Sequence, residues 1–394
     1  MIKGAKFKPS LYDAVCTIGL FIIAINFNRL ELYLLVILFG YMLFKDIYKS
    51  IVINTNILTL FLFSLTYTLI IICKGQSFFT SVLTYLVCPV AAYYIGYGLV
   101  RRDNLNRISC LFLAIAVGRG THGLLNLIPY IRDGYTARNP IDFWTGNVLA
   151  STGAGTLFIM AVSLVYYAMN ITKSNKRQGI LLILFCTLCI FSAIQLGTRG
   201  CLVVAVITLV LCIIFFTDFR NKSSVRAILL VVAIATLFYI AYSVNMFGLR
   251  TAFESSGLYR RIYVYDVEGL DENERWTRQY YMLSHLFDYP FGADDLTYTH
   301  NLWLDVARLT GIVPFFISIV MTMSLLASAF KGIKSNLIDR NTRILLFSVI
   351  SGSFMIFFAE PVLEGCPSFF ILFIMMCAMC EKIRYLESKV NIDE

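Results

Sequence analysis

Long apolar runs separated by short polar gaps recur along the whole chain. A helix of roughly 20 apolar residues crosses a hydrocarbon core of about 30 Å, and the chain supplies about twelve such runs, some of them short. The runs cover residues 11–27, 30–44, 51–73, 79–100, 108–130, 147–169, 179–196, 201–216, 227–244, 302–330, 344–358 and 369–383. The pattern predicts an all-α, polytopic membrane protein, with residues 1–394 forming a single transmembrane domain.

The gaps between the runs alternate in their content of Lys and Arg. Positive residues in short loops are retained on the cytoplasmic side, and the N-terminal segment begins this series with Lys3, Lys6 and Lys8. The gap after every second run is also basic, which predicts an even number of spans with both termini in the cytoplasm. The net charge of +9 is therefore interpreted as a topology signal, and nucleic-acid binding is not expected.

Composition and cysteine usage agree with this class of protein. Hydrophobic residues make up 58% of the chain and charged residues 14%, far from the balance of a soluble domain. Nearly all of the eleven cysteines fall in or beside apolar runs, so no disulfide framework is predicted. Two CxxC spacings, at 186–189 and 377–380, are interpreted as packing residues in apolar helices. The sequence predicts no metal site and no cofactor.

Uncommon side chains collect on the predicted outer face. All three tryptophans, Trp144, Trp276 and Trp303, are placed there, together with His285 and His300. Tryptophan favours the headgroup level of a bilayer, so an aromatic belt explains these positions without any function. Stacking on sugar rings is the alternative interpretation, and Trp276 and Trp303 are candidates for it.

The gap at residues 245–301 is far longer than the usual connection, and such loops are commonly functional or disordered. Within it, apolar residues at 276, 280, 283 and 287 follow a helical spacing that stops at Pro290. The pattern predicts a short amphipathic helix whose apolar stripe lies on the membrane domain. Arg275 and Arg278 then project together from an adjoining face. A solvated charged face, balanced by Glu272 and Glu274, explains the two arginines equally well.

A second helix is predicted to begin near Thr299 or His300 and to run toward Gly311 at the membrane surface. A neutral imidazole can accept a proton from a sugar hydroxyl, which makes His300 a candidate catalytic base. Asn301 is its neighbour and a candidate substrate ligand. The alternative for a lone histidine is a structural role.

Three further arginines belong to the outer boundary or to a span. Arg199 lies in a Gly-Thr-Arg-Gly turn at 197–200, Arg138 lies in the gap that holds Trp144, and Arg119 lies inside the fifth run. An ionisable residue within a span is by default a functional candidate. Several guanidinium groups on one side of the membrane indicate a polyanionic ligand such as a phosphate. Ion pairs with acidic residues are the alternative, and the candidate partners are Asp142, Asp305, Glu360 and Glu364.

Three motifs in this order resemble the O-antigen ligase and O-antigen polymerase superfamily of bacterial membrane proteins. Gly-Thr-Arg-Gly at 197–200 is similar to the family's Ser-x-Ser-Arg-Gly turn. Arg275 precedes Pro-Phe-Gly at 290–292, as the family's loop arginine precedes Pro-Leu-x-Gly. His-Asn-Leu-Trp-Leu at 300–304, followed by Gly311, resembles the His-Asn-x-x-Leu block. The chain departs from the family pattern at 292–294, where Gly-Ala-Asp replaces Gly-x-Gly, and at Pro314, which replaces a second glycine.

The resemblance implies a glycosyltransferase in the bacterial inner membrane with its active site on the periplasmic face. Members of the family transfer a glycan from undecaprenyl diphosphate to an acceptor hydroxyl without a metal ion, in lipopolysaccharide or surface polysaccharide biosynthesis. On this basis His300, Arg199 and Arg275 are the expected catalytic residues. Arg119, Arg278 and Arg138 are expected to support donor binding. The acceptor is a growing glycan for a polymerase, or lipid A core for a ligase, and the shared motifs do not separate the two.

A transporter of polysaccharide or lipid-linked sugar is the alternative from a different functional class. Transporters are typically built from repeated halves with polar residues near the bilayer midplane. Here the polar residues cluster on the predicted outer face, and only Arg119 lies clearly within a run. The distribution favours the transferase.

Overall fold

The computed structural model describes residues 10–45, 51–132, 140–149, 151–218, 240–260, 263, 273–293 and 296–393. Within these ranges the chain is helical, and its one β contact is an isolated antiparallel bridge between Ile141 and Val148. The helices in chain order are α1 (Leu11–Ala24), α2 (Glu31–Phe44), α3 (Thr55–Cys73), α4 (Phe78–Leu99), α5 (Leu105–Arg132), α6 (Gly153–Ile171), α7 (Lys176–Gln195), α8 (Arg199–Phe216), α9 (Leu249–Glu254), α10 (Gly257–Tyr259), α11 (Asn273–Ser284), α12 (Leu302–Thr310), α13 (Ile312–Ile333), α14 (Arg340–Phe358), α15 (Val362–Gly365) and α16 (Pro367–Asp393).

Eight of the described helices are long and apolar enough to cross a membrane, which confirms the prediction of a helical, multi-pass membrane protein. They are α3, α4, α5, α6, α7, α8, α13 and α14. The helices α1 and α2 are apolar but have only 14 residues each. At 1.5 Å per residue, each reaches about 21 Å, less than a hydrocarbon core of about 30 Å.

The remaining predicted runs differ from the structure for local reasons. The run 302–330 is divided at Gly311 into the short helix α12 and the span α13. The run 369–383 lies within the 27-residue helix α16, in which Glu381, Lys382 and Arg384 interrupt the apolar sequence. Most of the run 227–244 lies outside the described residues. The count of twelve spans, the cytoplasmic termini and the periplasmic side of the loop therefore remain predictions.

The chain divides into two compact units. The first comprises residues up to His122, Phe316–Leu346 and the chain from Pro367. Inside it, α4 and α16 pack backbone to backbone, since a Cβ added at Gly96 would lie 2.1 Å from the Met375 carbonyl oxygen. The Glu381 carboxylate accepts hydrogen bonds from Asn54 (2.9 Å), Asn56 (2.7 Å) and the Tyr93 hydroxyl (3.0 Å). These bonds satisfy a carboxylate that would otherwise be costly to place within the unit.

The second unit comprises Gly123–Phe315 and Phe347–Cys366 and contains the long loop. Its α6 packs against α7 and α8. It also lies close to α14, because a Cβ added at Gly352 would lie 2.1 Å from the Ser163 hydroxyl oxygen. Trp303 of α12 is buried against Phe354 and Phe358, at ring-centroid distances of 5.9 and 4.7 Å. This aromatic contact holds the start of α12 beside the end of α14, and thereby places His300 close to Glu360.

Candidate active site

His300 immediately precedes the capping residue of α12 and has a left-handed backbone. Its φ is +57°, a conformation that costs a non-glycine residue roughly 1–2 kcal/mol. The imidazole is buried, and the edge of its ring contacts Tyr298 at a centroid distance of 4.7 Å. Strained residues held by their surroundings are typical of functional sites.

Asp305 holds the backbone on both sides of His300. Its carboxylate accepts hydrogen bonds from the Thr299 amide (2.7 Å) and the Asn301 amide (3.2 Å). Burial raises the pKa of Asp305, while the Thr299 amide, Arg308 and the Asn301 amide act in the opposite direction. The left-handed turn is thus imposed by a carboxylate from within α12.

Arg308 connects this turn to two other segments. Its Nε lies 3.3 Å from Asp305 Oδ1, and its Nη1 donates to the Leu296 carbonyl oxygen at 3.2 Å. Its Nη2 forms an ion pair with Glu364 of α15. Arg308 was not among the predicted site residues. Its position in the predicted short helix that follows His300 is the signal by which the sequence could have shown it.

A buried carboxylate faces the His300 ring. Nδ1 of His300 lies 3.9 Å from Oε2 of Glu360, and both side chains are almost fully enclosed. Neither atom has a hydrogen-bond partner among the described residues. Buried polar atoms are usually satisfied, so each unsatisfied one requires an explanation. From the sequence, Glu360 was a candidate only for an ion pair with an arginine. The structure places it beside the His300 imidazole.

The turn at 197–200 approaches the same carboxylate. A Cβ added at Gly200 would lie 3.2 Å from Glu360 Oε1, and one added at Gly155 would lie 3.9 Å from it. Gly197 adopts φ +70°, and Arg199 begins α8 directly before Gly200. The structure therefore brings the backbone of the predicted Arg199 turn and His300 to the same carboxylate, the turn near Oε1 and His300 near Oε2 of Glu360. The side chain of Arg199 is half-buried.

The loop packs against this turn and against the His300 segment. A Cβ added at Gly257 of α10 would lie 2.4 Å from the Gln195 carbonyl oxygen, so only glycine permits this approach. Gln279 of α11 donates from Nε2 to the Thr299 carbonyl oxygen at 3.0 Å. Arg275 lies one helical turn before Gln279 and shares its face. The predicted loop arginine is therefore on the side of α11 that is joined to the candidate site.

The amphipathic helix α11 is present as predicted, but its orientation in the structure differs from the predicted one. Its apolar stripe was expected to lie on the membrane domain, with Arg275 and Arg278 projecting from an adjoining face. Instead Trp276 and the residues at 280, 283 and 287 are exposed, while Arg275 and Arg278 are half-buried and Met282 is fully buried. The hydrogen bond of Gln279 explains the difference, because it turns the arginine side of the helix inward.

The Pro-Phe-Gly segment at 290–292 packs on the residue that ends α12. A Cβ added at Gly311, whose φ is +85°, would lie 2.0 Å from the Pro290 carbonyl oxygen. The Ala293 amide donates to the Arg308 carbonyl oxygen at 2.7 Å. The two glycines of the resemblance, Gly292 and Gly311, therefore allow two backbones to touch.

The other predicted site residues have varied surroundings. Asn301 caps α12, because its side-chain oxygen accepts from the amides of Trp303 and Leu304, each at 3.1 Å. Trp303 packs in the core, which favours a structural role over sugar stacking. The Trp276 side chain is exposed on the surface of the protein. Arg138 lies outside the described residues.

Arg119 belongs to the first of the two units. Its side chain is fully buried. Nη1 donates to the Ser368 hydroxyl at 3.4 Å, and the guanidinium carbon lies 5.9 Å from the Phe369 ring centroid. These contacts connect α5 with the first turn of α16.

Within the described ranges, no group of three or more His, Cys, Asp or Glu side chains has an arrangement suited to a metal ion. No protein-family profile matches this chain, and no curated protein matches it.

Proposed function

We propose that this protein is a membrane glycosyltransferase that moves a glycan from undecaprenyl diphosphate to an acceptor hydroxyl at the outer face of the bacterial inner membrane. The observation that carries the proposal is the buried contact between His300 and Glu360 beside the Arg199 turn. A base whose ring is held by a carboxylate is the recurring arrangement for activating a hydroxyl nucleophile. The order of motifs around 197–200, Arg275 and 300–304 supports the donor class.

In this mechanism His300 takes the proton of the acceptor hydroxyl through one ring nitrogen. The acceptor oxygen forms a bond to the anomeric carbon as the bond from that carbon to the diphosphate oxygen breaks. The electron pair remains on the diphosphate, whose growing charge is stabilised by Arg199 and Arg275. Glu360 stabilises the imidazolium that results. A single displacement inverts the anomeric configuration, so a product with retained configuration would contradict this mechanism.

The arginine roles follow from chemistry and position. A guanidinium presents parallel N–H donors that match phosphate oxygens, and no nucleotide-derived energy source is expected outside the membrane. A diphosphate leaving group needs no general acid if its charge is neutralised, which makes a metal-independent reaction feasible. Arg278 is one turn from Met282 on the inward side of α11 and is proposed to support the donor.

The experiment compares wild-type protein with His300→Ala in purified, reconstituted form, using a synthetic undecaprenyl diphosphate-linked glycan and a chelator. His285→Ala is the matched control, since His285 lies in the same loop and its ring stacks on Tyr281 at a centroid distance of 4.2 Å. We expect His300→Ala to lose about 10²–10⁴-fold in transfer rate and to retain donor binding, the range for general base catalysis. Unchanged transfer would remove His300 from the chemistry.

The products of the same assay separate the subclasses. Growth of the glycan by one repeat at a time indicates a polymerase, and attachment of whole chains to lipid A core indicates a ligase. If the wild type transfers nothing to any acceptor but moves lipid-linked sugar across a vesicle membrane, the transporter interpretation replaces the transferase.

A further inference from the structure

The outward side of α11 carries a continuous stripe of large apolar side chains. Trp276, Tyr280 and Leu283 follow one another at helical spacing on α11, and Phe287 and Phe291 are exposed apolar residues in the segment that follows its end at Ser284. Each is between 58% and 77% exposed. Exposed apolar groups are common singly, whereas an aligned set of this size marks a surface that contacts something.

The rest of α11 is divided between two other sides. The side with Gln279, Met282 and Leu286 faces the protein, where Met282 and Leu286 are buried and Gln279 bonds to Thr299. The remaining flank exposes Thr277, Tyr281 and Ser284, and Asp288 is exposed just after the helix. The apolar stripe is therefore neither part of the core nor mixed with polar groups.

The end of the stripe lies where a membrane span begins. The Ile312 amide, the first of α13, donates to the Pro290 carbonyl oxygen at 3.2 Å. A Cβ added at Gly311 would lie 2.7 Å from the Phe291 Cα, so Phe291 stands directly beside the start of the span. Val313, in the first turn of α13, is also exposed. The backbone of Phe291 therefore lies beside the residue at which α13 begins.

We propose that α11 is an interfacial helix whose stripe, Trp276 to Phe291, inserts between lipid headgroups and the outer ends of the acyl chains. Trp, Tyr and Phe with one apolar and one polar flank are the residues that favour this zone. Lipid is the occupant because the stripe begins at the bilayer edge and the polar flank lies along one side of it. The contact anchors α11, and with it the arginines on its inward side.

Trp276 reports on this contact directly. The protein is reconstituted in phosphatidylcholine nanodiscs whose acyl chains are brominated near the carbonyl end, and its fluorescence is compared with that in unbrominated lipid. Trp144 and Trp303 also emit, so the spectrum of Trp276→Phe is subtracted. Phenylalanine at this exposed position keeps the apolar surface and is compatible with the fold. We expect the Trp276 emission to be largely lost in brominated lipid and only weakly quenched by acrylamide in the water.

Two outcomes overturn the proposal. Strong acrylamide quenching without bromine quenching places the stripe in water. Protection from both quenchers means that another protein or a second copy of this chain covers it. Phe287→Asp should reduce bromine quenching of Trp276 and increase acrylamide quenching, because a charge is disfavoured in the interface. Thr277→Asp, on the polar flank of the same helix, should change neither.

Discussion

Nδ1 of His300 lies 3.9 Å from Oε2 of Glu360 in the interior of the second unit, and both atoms lack a hydrogen-bond partner among the described residues. At this distance the two groups do not hydrogen-bond each other, but a protonated His300 and an ionised Glu360 would attract each other as opposite charges. The pair joins two distant parts of the chain, the start of α12 and the segment after α14. It is the basis of the first prediction.

Replacement of Glu360 by Gln should lower kcat and leave the affinity for the lipid-linked donor nearly unchanged. Gln keeps the shape of the side chain but cannot stabilise an imidazolium by charge. A charge-assisted contact is worth about 1.5–3 kcal/mol, which corresponds to a loss of roughly ten- to a hundredfold in kcat. Steady-state kinetics with donor binding measured separately tests this expectation. Glu254→Gln, at an exposed ion pair with Arg250 in the same unit, is the control. A folded Glu360→Gln protein with normal kcat would show that the carboxylate does not assist His300.

Arg275→Lys should weaken use of the donor although the positive charge is kept. An ammonium group cannot reproduce the paired donors that a guanidinium offers to two phosphate oxygens. We expect kcat/KM for the donor to fall about tenfold or more, the equivalent of one charge-assisted hydrogen bond. The matched control is Arg250→Lys, because Arg250 lies in the same loop but is exposed and pairs with Glu254 at 2.8 Å. Equal kinetics for the two variants would exclude Arg275 from the donor site.

A comparison of His300→Gly with His300→Ala separates the effect of the left-handed backbone on stability from the effect of the imidazole on transfer. Both variants lack the imidazole, so both should lose transfer. Glycine tolerates φ +57° without the steric cost that alanine retains, but it loses more backbone entropy on folding. We therefore expect His300→Gly to be at least as stable as His300→Ala, by up to about 1 kcal/mol in the free energy of unfolding. Thermal unfolding in one detergent measures this. A clearly more stable His300→Ala would mean that the turn is not held in the left-handed form.

Gly311→Ala should destabilise the protein because the added Cβ meets the Pro290 carbonyl oxygen. That oxygen belongs to the backbone, so it cannot rotate away, and the φ of +85° adds further strain. We expect a loss of roughly 1–3 kcal/mol in the free energy of unfolding, together with loss of transfer as the segment at 290–292 moves. Gly365→Ala is the control, since nothing lies within 4 Å of a Cβ added there. If both variants unfold at the same temperature, the close approach of Gly311 to the Pro290 carbonyl oxygen does not affect the stability of the protein.

Several features of this protein follow from the local sequence. A run of roughly 20 apolar residues within a bilayer forms a helix, because the bilayer offers the backbone no other hydrogen-bond partners. The spans α3 to α8 were therefore predictable, and so was α11 from its period of 3.6 residues. The short helix that was predicted to run from near His300 toward Gly311 is present as α12, which ends at Thr310.

The prediction that was wrong concerns the orientation of α11, that is, which of its faces packs on the protein. The stripe at Trp276 was expected to face the protein, since an amphipathic pattern shows that two faces differ but not which surface each one meets. That orientation was decided by a contact between residues twenty positions apart, Gln279 and Thr299. In a membrane protein an exposed apolar face is compatible with lipid, so hydrophobicity alone does not indicate the inward side.

Sequence therefore determined the class of protein, the principal spans and the candidate polar residues, because each depends on neighbours along the chain. Tertiary structure alone decided that Glu360 faces His300, that Asp305 and Arg308 hold its turn, and that the Arg199 turn approaches the same carboxylate. These residues are separated by up to about 160 positions in the chain, and no local pattern encodes their distance. They meet because Trp303 and the aromatic residues at the end of α14 pack together, and that packing depends on the complete fold.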